Sequence, residues 1–164
     1  MVLFLHIITN IKETDMAFTH LHVHTEYSLL DGSNKIKEYV RRVKELGMDS
    51  AAITDHGVMY GVIDFYKACR AEGIRPILGC EVYVAPNSRF DKELTGGDDR
   101  YYHLVLLAEN NTGYNNLTRI VSRGFTEGYY YKPRVDMELL QEFHEGIIAL
   151  SACLAGEVQR YITK

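Results

Sequence analysis

The chain has 164 residues, 46% of them hydrophobic and 24% charged, with a formal net charge of −4. That length suffices for one domain with its own core, and the mildly acidic balance excludes a strongly basic nucleic-acid or membrane-binding surface, so any DNA substrate would need basic surface supplied from elsewhere. Its three cysteines, Cys69, Cys80 and Cys153, form no even, spaced framework, which excludes a disulfide scaffold and points to a reducing, cytoplasmic setting.

The opening stretch MVLFLHIITNIKETD is apolar at its start but too short to span a bilayer, and no Lys or Arg precedes it as in a signal peptide. Met16 stands just before the first clear strand pattern, so residues 1–16 read as an N-terminal extension and 17–164 as one domain; an ordinary extra strand is the alternative. FTHLHVHT reads as a strand. Residues 35 to 46 read as an amphipathic helix with Ile36, Tyr39, Val40, Val43 and Leu46 on one face and Gly47 as its stop. SAAIT is a short strand ending at DHG. Residues 60 to 72 form a second helix, with Val62, Ile63, Phe65, Tyr66 and Cys69 inward and Gly73 after it. RPILGCEVYVA is a strand, the stretch from SRFD through TGGDD a polar loop, and HLVLLA another strand. A third helix follows, with Thr112 as N-cap. YYYKPR reads as an aromatic loop, DMELLQEF as a short helix capped by Asp136, GIIALSA as a strand, and GEVQRYITK as the start of a last helix. Strands alternating with helices predict an α/β fold with a parallel sheet, either open or closed into a barrel.

In such folds functional groups gather at the C-terminal ends of strands. The first strand ends in His22 and His24, the second in Asp55 and His56, and the last in Ser151, Ala152 and Cys153, while Glu81 lies within the third. Residues two apart on a strand share a face, so His22 and His24 can grip one ion, with Asp31 folding back from the following turn. Each residue also has an ordinary reading: Asp55 as a backbone cap, Glu81 as half of an ion pair, Cys153 as a small buried hydrophobe. His103 opens its strand instead of closing it, which counts against it, and His6 and His144 have no ligand-type neighbours. Several strands nonetheless deliver ligand-type residues to one rim. Histidines and carboxylates with one cysteine favour Zn, Mn or Fe over Mg or Ca. Two or more such ions suit phosphoester hydrolysis, one activating water, another polarising the phosphoryl oxygen, and Glu81 bridging them. No phosphate-binding glycine loop and no serine nucleophile elbow is present.

The blocks HLHVHTEYSLLDG, AITDHG, GVIDFYKA, PILGCEVYV, HLVLLAENNTGYNNL and GIIALSACLAGE, with the tyrosine-rich EGYYYKPRVD, resemble the polymerase-and-histidinol-phosphatase (PHP) domain at the N-terminus of bacterial replicative DNA polymerase III alpha subunits. The resemblance covers residues 17–164. It implies part of a distorted (β/α)₇ barrel with up to three divalent metals, Zn or Mn with Fe as an alternative, at its mouth. Carried over position by position, it makes His22, His24, Asp31, His56, Glu81, His103 and Cys153 metal ligands, with Glu81, His22 and His56 in the catalytic role. Asp55 would orient its neighbour, and His20 would be structural. The family's last motif, an Asp-x-His pair on a late strand, is not among the 164 residues, which implies a fragment lacking the last strands, with weak or partial metal binding and self-association through exposed strand edges. The resemblance further implies a 3′–5′ exonuclease within a DNA-directed DNA polymerase, with DNA, the other polymerase domains and replisome subunits as partners and no membrane. A metal-stabilised scaffold without turnover and a free-standing small-molecule phosphatase are the alternatives.

Overall fold

The computed structural model describes residues 18–93 and 101–163. The expected N-terminal extension, His6 and the TGGDD segment lie outside the described residues. The elements in order are α1 (Ile36–Glu45), β1 (Ser50–Ile53), α2 (Val62–Glu72), β2 (Arg75–Val84), β3 (Tyr102–Ala108), α3 (Asn111–Thr126), β4 (Tyr129–Tyr130), β5 (Lys132–Val135), α4 (Met137–Glu142), β6 (Ile147–Leu150) and α5 (Glu157–Thr163). No helix among the described residues is long and apolar enough to cross a membrane.

The α/β composition is as expected, but the sheet is mixed, not parallel. Its strand order is β4-β5-β2-β3-β6, with β1 also pairing with β2. The first half of β2 pairs with β1 and its last two residues with β5, both in parallel, while β3 lies antiparallel along the rest. No helical pattern stands between β2 and β3, so no crossover carries the chain back and β3 must return antiparallel. The two ends of the order, β4 and β6, do not pair with each other, so the described sheet is open.

Two apolar clusters form the core. One joins α1 and α2 to β1 through Ile36, Val40, Val43, Ile53, Val62 and Phe65. The other packs α3 and α4 on β2 and β3 through Val82, Leu106, Leu117, Ile120 and Leu139. Along β2 the side chains alternate: Cys80, Val82 and Val84 enter the second cluster, which turns Glu81 and Tyr83 to the opposite face. The same alternation puts His103 and Val105 of β3 on that face, since Tyr83 opposes His103 and Glu81 opposes Val105.

Several local expectations are corrected. FTHLHVHT is not a strand: this segment runs beside β1, but Thr54 takes over the pairing. Its N–H donates to Val23 O at 2.9 Å and its hydroxyl accepts from Val23 N–H at 2.7 Å, where a ladder would use a second backbone carbonyl. Ile63 and Tyr66 of α2 are exposed because that helix is covered along one narrow stripe, Val62–Phe65–Cys69. Leu46 is likewise exposed, at the C-cap of α1. The cap of α3 is Asn110, whose side chain accepts from Gly113 N–H at 3.0 Å, and not Thr112, which lies inside the helix. YYYKPR is the β4–β5 hairpin, turning on Tyr131 at φ +61°. Asp136 caps α4 as expected, and Gly73 ends α2 in the left-handed conformation.

Asp136 also anchors a buried ionic strut. It accepts from Arg89 N–H at 2.8 Å and from the Arg89 guanidinium at 2.8 Å, and Arg89 Nε donates to Glu127 at 2.6 Å. Arg134 donates to the carbonyls of Gly128, Arg89 and Asp91. The loop after β2 is thereby tied to the hairpin and to α4. Burial pushes the Asp136 carboxyl up, but the N–H groups of Arg89 and Leu139 and the Arg89 guanidinium outweigh it and hold it below the usual range. A carboxyl depressed in the folded state contributes stability above its unfolded pKa, about 3.9 for Asp, and loses it as pH falls through the folded value. Asp136→Ala removes the partner of the Arg89 guanidinium and the cap of α4 but leaves Arg89 its Glu127 contact, and should lower stability by about 1–3 kcal/mol. Asp136→Asn should flatten the acid dependence of the melting temperature, measured by thermal melts between about pH 3 and pH 7.

Candidate metal centre

Glu81 is the hub. Its side chain is 0% exposed. Its N–H donates to Asp55 O at 3.1 Å and its carbonyl accepts from Gly57 N–H at 2.8 Å, which continues the β1–β2 pairing through a bridge between His56 and Glu81. Gly57 adopts φ +66°, and a Cβ there would fall 2.8 Å from the Tyr83 ring, so only glycine lets the chain turn here while His56 faces Glu81.

Four imidazoles surround the buried carboxylate. His22 Nε2 lies 3.0 Å and His103 Nδ1 3.3 Å from Oε1. His24 Nε2 lies 3.9 Å from Oε2, and His56 Nδ1 is in close contact with the same oxygen. Asp31 reaches back from its turn to His56 Nε2 at 3.1 Å, as expected. Cys153 Sγ sits 3.4 Å from His103 Nδ1. It is presented by a loop that turns at Ala152, φ +63°, and is held to the start of β3 by His103 N–H donating to Ala155 O at 3.0 Å.

The segment after His24 is fastened by Asp55. Its carboxylate accepts from Thr25 N–H at 2.5 Å, Thr25 Oγ1 at 2.7 Å and Ser28 Oγ at 2.7 Å, and Ser28 Oγ in turn accepts from His56 N–H at 3.2 Å. Thr25 and Ser28 escaped the sequence analysis. The only signal was two hydroxyl residues directly behind the histidines, which turn chemistry explains equally well. Asn34, which donates to His24 O at 2.8 Å, was missed in the same way. The expected residues His22, His24, Asp31, His56, Glu81, His103 and Cys153 thus come together at one mouth. Ser151 does not join them and bonds Gln159. His20 is exposed, with its ring edge against Phe18, and His144 is exposed and bonds Gln141 O.

The donor atoms form two triads, His22–His24–Glu81 and His56–Glu81–His103, each with ligand atoms within 4.8 Å of one another. Glu81 belongs to both. His22 Nε2, His24 Nδ1, His56 Nδ1 and both Glu81 oxygens are buried without a properly directed hydrogen bond. His22 Nε2 and His56 Nδ1 stand at ion-pair distance from the Glu81 oxygens without hydrogen-bond geometry. Each such group costs about 1–3 kcal/mol, so the set demands a compensating charge. Imidazoles and a carboxylate suit a borderline transition cation. The carboxylate and the imidazoles around it move one another's protonation away from the ordinary values. Burial alone would raise Glu81, but His103, His22 and His56 facing it hold it far below the carboxylate range. Glu81 raises His56, whereas burial and the neighbouring His56 lower His24. A divalent cation would displace protons from these groups.

Residues 20–164 match the family model described as the PHP domain. That is most of the chain, and the chain belongs to the PHP family. The relatives it matches are DNA polymerase III alpha subunits. It is 55% identical over 143 residues to that of Treponema pallidum, covering 87% of this chain and 12% of the relative. It is 52% identical over 146 residues to that of Helicobacter pylori, covering 89% and 12%, and 48% identical over 150 residues to that of Thermus aquaticus, covering 90% and 12%. The chain therefore spans 12% of the length of these curated relatives. Among solved structures, an amidohydrolase from Chromobacterium violaceum aligns over 66% of this chain and 36% of its own, with TM-score 0.44 and 23% identity.

Zn²⁺ or Mn²⁺ at about 100 times its dissociation constant should stabilise the chain by about 2.7 kcal/mol, reversibly with chelator. It should also release protons into weakly buffered solution. Glu81→Gln should abolish both effects, read by thermal melts and pH-stat titration. Asp55→Asn leaves the ligands in place but loosens the Thr25–Ser28 latch, and should weaken metal binding by about 10–100-fold.

Proposed function

We propose that this chain is the PHP region of a DNA polymerase III alpha subunit and that its histidine–carboxylate cluster is a metal centre for phosphodiester hydrolysis, a 3′–5′ exonuclease that trims DNA ends. The observation that carries this reading is the buried Glu81, which belongs to two donor triads at once. A carboxylate so placed is suited to bridge two cations, the arrangement used for in-line displacement at phosphorus. His22, His24 and Glu81 would hold one ion, and His56, Glu81 and His103 a second. Asp31 and Cys153 lie at the open side of the cluster and would complete the set, for up to three ions, Zn or Mn with Fe as the alternative. Bound there, the ions would supply Lewis acidity and lower the pKa of water. The chain's own residues do the rest. Asp55 fixes the backbone behind His24 and His56 through Thr25 and Ser28, and His56, facing both Asp31 and Glu81, is placed to hold or pass a proton at Nε2. In this reading the open mixed sheet is part of a distorted (β/α)₇ barrel, residues 17–164 are an incomplete PHP domain, and residues 1–16 precede it.

One further reading has an observation in its favour. The ligand candidates come from five separate segments, around His22, His56, Glu81, His103 and Cys153, so cations there would staple the fold even without turnover. One experiment separates the two. A polymerase alpha subunit carrying this segment, loaded with metal, should degrade 3′-labelled single-stranded DNA, and His22→Ala should reduce the rate by at least about 100-fold. Full metal content with no degradation, and a melting temperature that collapses with chelator, selects the scaffold.

A further inference from the structure

The β4–β5 hairpin is seated on the wall of the metal centre. Pro133 packs against the turn that follows His56, since a Cβ on Gly57 would lie 3.0 Å from Pro133 Cγ. Lys132 Nζ stands 5.4 Å from the centre of the Tyr83 ring. That ring is in turn 5.3 Å from His103 and 6.4 Å from His56. Lys132 has no carboxylate partner among the described residues. One aromatic ring therefore stands between the Lys132 ammonium and the candidate ligands His56 and His103.

The tip of the hairpin is unusual in a second, independent way. Tyr131 is the single residue between β4 and β5, held at φ +61°, a left-handed conformation that glycine or asparagine adopts far more easily. Its side chain is 62% exposed. The ring meets Tyr130 edge-on, 4.7 Å between centres, and still exposes most of its surface. Tyr129, on the same hairpin, is also exposed. Exposed aromatic rings on one hairpin with a lysine that has no carboxylate partner among the described residues form the pattern that holds single strands, with bases stacked on the rings and a phosphate on the ammonium.

We propose that the β4–β5 hairpin is the arm that seats a single DNA strand as it enters the metal centre, with Lys132 holding a backbone phosphate and Tyr131 and Tyr129 stacking its bases. This rests on the reading of the centre as a nuclease. It adds the residues that make the site select a single-stranded polymer over a small phosphate ester.

The test uses the whole 164-residue chain loaded with Mn²⁺ and a fluorescein-labelled oligo(dT) 12-mer, followed by fluorescence anisotropy. Tyr131→Asn should weaken binding about tenfold while leaving the melting temperature unchanged or higher, because asparagine tolerates the left-handed turn. Lys132→Ala should weaken binding and reduce the slope of log K against log salt by about 0.7, the loss of one phosphate contact on a single strand. Metal content should be wild-type in both variants. Wild-type chain that does not bind the 12-mer, variants that bind it equally well, or a loss seen with oligo(rU) alone would each overturn the proposal. DNA degradation by a metal-loaded polymerase alpha subunit, assayed in parallel, separates the two claims. Hairpin-dependent binding without degradation removes the nuclease reading and keeps the arm. Degradation with unchanged binding in the variants removes only the arm.

Discussion

A carboxylate with no exposure to solvent, ringed by four imidazoles, is the constraint around which this chain is arranged. Glu81 cannot be hydrated, and transferring an ionised carboxylate out of water is very costly unless charge is brought to meet it. His22 and His24, His56, and His103 are brought there by three different segments. The chain accepts unusual local structure to do so: an extended segment that pairs through Thr54's hydroxyl, a left-handed Gly57, and a left-handed Ala152 beside Cys153. The arrangement makes sense as a cradle for positive charge, because imidazoles alone satisfy the carboxylate poorly and leave five of the cluster's atoms without directed hydrogen bonds.

Support for that cradle is layered. One apolar cluster packs on β2 through Cys80, Val82 and Val84, and alternation along the strand separates these residues from the polar face. Asp55 acts one step behind the histidines, converting Thr25 and Ser28 into a latch on the loop that carries Asp31. Farther out, Arg134 ties the hairpin to the Arg89–Asp136 strut, and the hairpin's Lys132 lies over the Tyr83 ring. Rigid packing, then hydrogen-bonded orientation, then a charged rim is the order in which a preorganised centre is built.

Much of this was legible in the residue pattern. The amphipathic spacing of Ile36, Val40 and Val43 and the run RPILGCEVYV gave their elements nearly to the residue. His22, His24 and His56 stood out as ligand-type side chains at expected strand ends, Asp31 in the turn that follows the first, and Glu81 as a carboxylate inside a strand. His103 shows where the pattern fails. The rule that functional groups lie at C-terminal strand ends assumes parallel strands. Because β3 runs antiparallel to β2, its first residues lie beside the last residues of β2, and His103 opposes Tyr83 two residues from Glu81. The hairpin was missed because three tyrosines in a row carry no turn signal, and the one left-handed residue is a tyrosine in place of the usual Gly or Asn.

Local chemistry thus determined the identity of the donors, the helices and most strands, since periodicity, caps and ligand types are properties of neighbours in sequence. Strand direction, the pairing of Thr54 with Val23, the latch of Asp55 and the convergence on Glu81 were decided by tertiary structure alone. They depend on which segments share the low-dielectric space around one buried charge, and residues 22, 56, 81, 103 and 153 meet there only after the two cores have closed on β2.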